Sequence, residues 1–195
     1  MPAIYRFYNG TAATTAGQAK VTTSTAIKTM LQLTPKTGVD LELPQWGISF
    51  DGSAAATPGI VELIETDVTA TVTTAASADV VKITNPGGPA ADTALITLGT
   101  ANTGFTATVE GTTAASRVID AQLIAPTNQY IMQWPFGTWP KVQAAKFLRI
   151  RVTFAAAINA ICWVDFTAAN SCSLAAACCV TLPCTDASSW PCWFT

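Results

Sequence analysis

The segment FLRIRVTF (residues 147–154) alternates apolar and polar side chains from Leu148 onward. Successive side chains of an extended chain point to opposite sides. The apolar positions therefore share one face and the polar positions share the other: Leu148, Ile150, Val152 and Phe154 against Arg149, Arg151 and Thr153. Such alternation indicates a half-buried β-strand and favours a β fold.

The same pattern recurs along the chain. QWGISFDG (45–52) places Trp46, Ile48 and Phe50 on one face and ends in a turn at Asp51-Gly52. Further strand-like segments are IVELIE (60–65), VTATVTT (68–74), FTATVEG (105–111), VIDAQLIAP (118–126), QYIMQWPFG (129–137) and AINAICWVDF (157–166). Many short strands separated by Gly and Pro turns predict a mostly-β fold, an antiparallel two-sheet sandwich of jelly-roll type.

The chain divides into three predicted regions. Residues 1–19 show no sustained periodicity and predict an extended N-terminal arm, residues 20–166 predict the β-sandwich domain, and residues 167–195 predict a Cys-rich C-terminal tail. Inside the sandwich, residues 75–104 predict a long surface loop with short strands near VVKI and ALITL. The helix candidates are TAIKTML (25–31), which also suits a strand, and SLAAACC (173–179).

Charge is sparse in this sequence. Charged residues make up 11% of 195 and the net charge is −2, whereas a soluble domain averages roughly 25% charged residues. So little positive charge predicts no nucleic-acid partner and no binding to anionic membranes. The N-terminus lacks the pattern of a signal peptide, so we expect the protein to be made and at first kept in a cytoplasm.

The sequence contains no histidine, which removes the commonest general base and a frequent metal ligand. Carboxylates leave a glycoside-cleaving alternative open, through Glu62, Glu65 and Asp67 or through Glu42 and Asp51. Charges that protect a sheet edge from aggregation explain Glu65 and Asp67 more simply. We expect no enzymatic activity and no cofactor.

All six cysteines lie in the last part of the chain, at Cys162, Cys172, Cys178, Cys179, Cys184 and Cys192. Their spacing lacks the paired ligands of a zinc finger, so we predict no metal and favour disulfides, with zinc or buried free thiols as the alternatives. Three aromatic residues, Trp190, Trp193 and Phe194, accompany them. We expect this tail to dock on a neighbouring subunit or on its own sandwich.

A second aromatic group comprises Trp134, Phe136 and Trp139, which are interrupted by Pro135 and Gly137. Aromatic rings in a loop can stack on sugars, and they can also pack in a core or a subunit interface. The alternation of this stretch favours core or interface packing. A carbohydrate- or receptor-binding module of a phage tail or fibre stays open as the alternative, and it predicts exposed Trp134 and Trp139.

Two stretches carry a resemblance to a known family. AIKTMLQLTP…LELPQWGISFDG (26–52), followed by the IVELI segment, resembles the opening of small β-sandwich cement (decoration) proteins of tailed-phage capsids. FLRIRVTFAAAINAICWVDF (147–166) resembles their closing strands, and QYIMQWPFG (129–137) fits the segment before them. Together these segments cover under half of the chain, and the tail from Thr167 onward departs from the family pattern.

The resemblance implies a virion structural protein on the capsid exterior, made in the host cytoplasm. It implies a homotrimer at local threefold positions that bridges major capsid subunits, and it brings no catalytic residues. A virion is released by lysis into an oxidising medium, which is compatible with disulfides in a chain that lacks an export signal.

Overall fold

The computed structural model describes residues 3–12, 15–84, 95–112 and 114–169. Within these ranges the chain forms thirteen strands and one 3₁₀ helix, Ser77–Asp79. The strands are β1 (Tyr5–Tyr8), β2 (Val21–Thr22), β3 (Lys28–Leu33), β4 (Leu41–Asp51), β5 (Gly59–Thr66), β6 (Thr71–Thr74), β7 (Val80–Lys82), β8 (Gly104–Val109), β9 (Arg117–Ile124), β10 (Gln129–Gln133), β11 (Lys141–Val142), β12 (Phe147–Thr153) and β13 (Asn159–Ala168).

The strands build two antiparallel sheets. Sheet A has the order β10-β4-β13-β1-β7, with β11 added to β4 and β2 added to β13. Sheet B has the order β6-β8-β3-β12-β5-β9. The prediction of an antiparallel two-sheet sandwich is confirmed.

The core lies between the sheets, where the predicted alternation puts it. Leu148, Ile150 and Val152 of β12 are fully buried, as is Trp46 of β4. The rings of Phe50 and Phe154 meet edge to face with centroids 4.8 Å apart. Each such buried side chain contributes roughly 1.5–3 kcal/mol of transfer free energy, so the alternation determines which face each strand buries.

The N-terminal region differs from the predicted arm at residues 5–8. These residues form β1, which pairs with β13 on one side and β7 on the other. Tyr5 and Phe7 are buried, and Arg6 on the opposite face donates two hydrogen bonds of 2.7 Å to Asp165. Two inward aromatic side chains and pairing with strands on both sides hold this strand, which is too short to show a sustained period in the sequence.

Two other boundaries also differ from the sequence interpretation. The second half of the helix candidate at residues 25–31 belongs to strand β3, because its β-branched and apolar side chains are buried in sheet B. Strand β13 continues to Ala168, two residues beyond the predicted end of the sandwich. Within the predicted loop 75–104, the short strand expected near VVKI is present as β7, whereas residues 85–94 of this loop and the helix candidate SLAAACC lie outside the described residues.

Arg149 is buried although it faces away from the core. Its exposed fraction is 1%, because the chain around Val68 and Glu110 covers this part of sheet B. Its guanidinium donates to the carbonyl oxygen of Val68 and, at 3.4 Å, to that of Glu110. Its Nε has no hydrogen-bond partner within the described ranges. Desolvation lowers the pKa of Arg149 below its usual value.

Among the described residues no helix is long and apolar enough to cross a membrane.

Candidate assembly surface

The two sheets each end in an open strand on the same side of the sandwich. Strand β9 is the last strand of sheet B and β10 is an outer strand of sheet A, and in the described part of the chain each pairs on one side only. The short turn at residues 125–128 joins them and is closed by a hydrogen bond of 3.0 Å from Asn128 N–H to Ala125 O. We call this the open side.

Open strand edges carry unpaired N–H and C=O groups and are templates for pairing with another chain. Natural proteins usually protect them with lysine, proline or a covering loop. Strand β10, QYIMQ, carries neither a charge nor a proline. Strand β9 carries Arg117 and Asp120, and both side chains bond to neighbouring groups of the same molecule. The open side therefore has little protection against association.

Exposed apolar side chains concentrate around this side. Nine large apolar residues are exposed in the described ranges, and five of them belong to β9, its neighbour β5, β10 or the loop that follows: Ile60, Val118, Leu123, Ile131 and Phe136. Leu123 is 72% exposed and pairs directly with Ile60 across the two strands. Phe136 is 87% exposed. Adjacent exposed apolar side chains, such as those of Leu123 and Ile60, are typical of interaction surfaces.

The aromatic loop, residues 134–140, lies at the edge of sheet A beside Leu43 and Pro44, between the two parts of β4 that pair with β10 and β11. Strand β10 pairs with Gln45–Ser49 and β11 pairs with Leu41 and Glu42. The loop bridges this gap. Trp134 N–H donates to Pro44 O at 3.1 Å, and Leu43 N–H donates to Pro140 O at 3.0 Å. Both ends of the aromatic loop are thus fixed to β4.

The three predicted aromatic residues have different positions in this loop. Trp134 is partly buried against the core, and the indole N–H of Trp139 donates to the Trp134 carbonyl oxygen at 3.2 Å. The ring of Phe136 meets Trp139 edge to face at 5.2 Å and is otherwise in solvent. Trp134 anchors the loop, Trp139 supports it, and Phe136 is the ring that it presents.

Asp120 links the two sheets behind the open side. Its carboxylate accepts hydrogen bonds from the Trp46 indole at 3.1 Å, from the Tyr130 hydroxyl at 2.8 Å and from the Gln122 amide at 2.9 Å. Desolvation and the bond to Asp120 raise the pKa of Tyr130 to about 12. This cluster was not among the predicted site residues, although an aspartate within the apolar stretch VIDAQLI is its signal in the sequence.

The outer face of sheet A is occupied by its own side chains. Trp163 lies over Gly47, where a β-carbon would stand 2.4 Å from the indole Cζ2. The guanidinium of Arg6 lies 5.7 Å from the Trp163 ring centroid while it bonds to Asp165. These hydrogen bonds raise the pKa of Arg6 above its ordinary value. The face is a packed layer that holds β1 in the sheet.

The five carboxylates considered for glycoside cleavage are all in ion pairs with Lys or Arg, namely Glu42–Lys141, Asp51–Lys20, Glu62–Arg151, Glu65–Arg117 and Asp67–Lys146. The interpretation of Glu65 as an edge charge is wrong, because β5 lies between β12 and β9. Glu65 is buried and instead accepts a hydrogen bond of 3.0 Å from Arg117 at the start of β9.

The cysteine prediction needs one correction. Cys162 is a free thiol and its side chain is fully buried, because it occupies an inward position of β13 opposite Ile48 of β4. It is therefore removed from the candidate disulfides. The other five cysteines and the aromatic residues of the tail lie outside the described residues: Cys172, Cys178, Cys179, Cys184, Cys192, Trp190, Trp193 and Phe194.

In the described ranges no three cysteine, aspartate or glutamate side chains are grouped so that they could hold a metal ion. Comparisons of the chain with protein-family models, with curated proteins and with solved structures find no match.

Proposed function

We propose that this chain is a non-catalytic virion structural protein, a cement protein that stabilises a tailed-phage head by bridging major capsid subunits on its exterior. The observation that carries the proposal is the open side, where, within the described residues, two strand edges are unpaired and the side chains of Leu123 and Phe136 are exposed. The free energy is lowered when another protein chain covers such a surface and removes its apolar side chains from water.

A homotrimer suits this surface. A threefold interface joins two different patches of each copy, because it is not self-complementary as a twofold interface is. The chain offers two distinct apolar patches: the tip of the aromatic loop at Phe136, and the Leu123–Ile60 pair on the outer face of sheet B. In the proposed trimer, Phe136 of one copy contacts the Leu123–Ile60 pair of the next.

The sparse charges support a wide interface. Burial of an unpaired charge costs several kcal/mol, and interface cores are depleted of charged residues. Arg117 and Glu65 next to the open side already neutralise one another. The uncharged strand β10 presents only polar or apolar side chains, so few charges need to lose water when copies associate.

Sedimentation equilibrium of the reduced protein tests the proposal with three variants. Phe136→Ser and Leu123→Ser remove the two apolar patches, whereas Val109→Ser changes another exposed apolar residue, 60% exposed on β8, away from the open side. Loss of one buried Phe or Leu contact costs roughly 1.5–3 kcal/mol, so we expect association to weaken about tenfold to a hundredfold. Val109→Ser should keep the trimer.

Thermal unfolding serves as the control, because substitution of an exposed side chain leaves the fold intact. A monomeric wild type, or trimers that survive both open-side substitutions, would contradict the proposed interface.

A carbohydrate- or receptor-binding module is the second candidate, and the exposure of Phe136 beside Trp139 favours it. Sugar stacking prefers an open indole face, yet both tryptophans of the aromatic loop are partly buried and are hydrogen-bonded to one another. Binding to a panel of immobilised glycans, with Trp139→Ala as the comparison, separates the two functions. Glycan binding that this substitution abolishes without changing the subunit number would favour the module.

A further inference from the structure

A two-stranded ribbon crosses the outer face of sheet B. It consists of residues 67–72 and 107–111, where part of β6 pairs with β8, and we call it the strap. One end of the strap continues from β5, and the other end joins the part of β8 that pairs with β3. Because β5 and β3 flank β12 on opposite sides, the strap passes over β12, where it contacts Arg149.

Buried polar side chains of the sheet hold the strap in place. The side-chain amide of Gln32 on β3 accepts a hydrogen bond from Ala70 N–H at 2.9 Å and donates one to Ala70 O at 3.1 Å. The backbone N–H and the hydroxyl of Thr29 donate to the two carboxylate oxygens of Glu110 at 2.7 and 2.6 Å. The apolar cluster of the strap is small and consists of Val72 and two alanine residues. Few buried apolar contacts are typical of a segment with low local stability.

The closed strap keeps a positive charge out of water. Arg149 is buried, and its guanidinium donates to the neutral carbonyl oxygens of Val68 and Glu110, while the Glu110 carboxylate bonds to Thr29. Burial of a charge is costly unless the charge is paired and fully hydrogen-bonded. Opening of the strap therefore returns the guanidinium to water, which offsets part of the free energy of the hydrogen bonds that are lost.

The junction between the strap and sheet B is strained. Thr106 has a φ of 54°, in the left-handed region that β-branched residues rarely adopt. It lies between Phe105, which pairs with β3, and Ala107, which pairs with Val72 of the strap. The register of β6 against β8 shifts on both sides of Val72. Such strain persists only where the surrounding structure enforces it, so opening at this junction relieves it.

We infer that the strap is a lid on sheet B, which lifts off as one unit while the two sheets stay folded. Lifting uncovers Arg149 and its pairing neighbour Ile64, which is fully buried although it lies outside the core cluster between the sheets. Ile64 also pairs with Val118 of β9, which is half-exposed. The open form therefore presents an apolar row from Val118 to Ile64 beside a hydrated guanidinium.

Hydrogen exchange of the wild-type backbone amides, followed by NMR at increasing urea concentrations, tests this inference. The N–H groups of Ala70 and Thr29 both bond across the contact between strap and sheet. We expect them to share one opening constant, at least about a hundredfold larger than that of the β12 amides and nearly independent of urea, because a local opening exposes little surface. Exchange of both groups only as fast as the β12 amides, or with unequal opening constants, would overturn the inference.

Gln32→Ala tests whether the strap opens as one unit, and Gln133→Ala, at the end of β10, is the matched control at an exposed glutamine. Gln32 and Thr29 bond to different residues of the strap. Loss of the Gln32 hydrogen bonds should nevertheless raise the opening constant at Thr29 by about tenfold to a hundredfold, whereas the control should leave it unchanged.

The β12 amides of the same sample show whether each variant is folded, and the wild-type measurement does not depend on whether Gln32→Ala folds. An opening constant at Thr29 that stays at the wild-type value in folded Gln32→Ala would contradict a strap that moves as one unit.

Discussion

Replacement of Asp120 by Ala should loosen the open side by a calculable amount. The substitution removes the acceptor of the Trp46 indole N–H, and Trp46 is completely buried. A buried donor left without a partner costs about 1–3 kcal/mol. The hydroxyl of Tyr130 and the amide of Gln122 are partly exposed and can turn to water, so they add little. We expect a loss of about 1–3 kcal/mol in the free energy of unfolding.

The assay is urea unfolding followed by tryptophan fluorescence, with thermal unfolding as a second probe. For a domain of this size, 1 kcal/mol corresponds to roughly 2–4 °C in Tm. The control is Asp67→Asn, which alters an exposed carboxylate in a surface ion pair and should change stability by less than about 1 kcal/mol. If Asp120→Ala costs no more than the control, the bond to Trp46 has no structural role.

The same substitution should change a titration. Desolvation and the hydrogen bond to Asp120 hold the pKa of Tyr130 at about 12, above the unfolded value of about 10. The resulting stability is fully present below pH about 10 and is lost as the pH rises toward about 12. Ultraviolet absorbance should show the Tyr130 pKa lower in Asp120→Ala, with part of the shift kept because the ring remains partly desolvated. An unchanged pKa would refute the contact.

The remaining predictions concern the outer faces of the sheets and are all measured by chemical unfolding. Gly47→Val places a side chain where the Trp163 ring lies and should lower the free energy of unfolding by about 1–3 kcal/mol. The control Gly17→Ala, with open space around it, should change it by less than about 0.5 kcal/mol. Equal effects of the two substitutions would contradict the packing of Trp163 over Gly47. Arg149→Met should change stability by less than about 1 kcal/mol, because relief from burying a charge offsets two carbonyl groups that lose a donor. Arg151→Met should cost about 1–3 kcal/mol, because it leaves Glu62 without its partner, so a larger loss at Arg149 than at Arg151 would contradict this assignment.

The strand pattern was predictable from sequence because burial of one face imposes a period of two. Ile150 and Trp46 lie where this period places them. Strand β1 has only four residues, and its burial depends on partners in β13 and β7, far away in the sequence. A local sequence pattern carries no information about such distant partners.

Arg149 illustrates a second limit of sequence reasoning. Alternation assigned it correctly to the face opposite the core, but alternation does not reveal which distant segments cover that face. The Arg149 side chain is buried because those segments cover this face of sheet B.

The candidate surface was predictable in part. The aromatic loop was recognised from its composition, whereas the different exposure of Trp134 and Phe136 depends on how the ends of the loop are hydrogen-bonded to β4. The bond from Trp46 to Asp120 joins strands of opposite sheets, which no spacing in the sequence indicates. The burial of Cys162 follows from its strand parity, a signal that the clustering of the cysteines obscured.

Native mass spectrometry of the reduced wild-type protein tests the central claim most directly, because it reports subunit number and bound metal together. We predict a metal-free homotrimer that Phe136→Ser converts to monomers without loss of folded structure. A wild type that stays monomeric at micromolar concentration would contradict the account of the open side as an interface between copies.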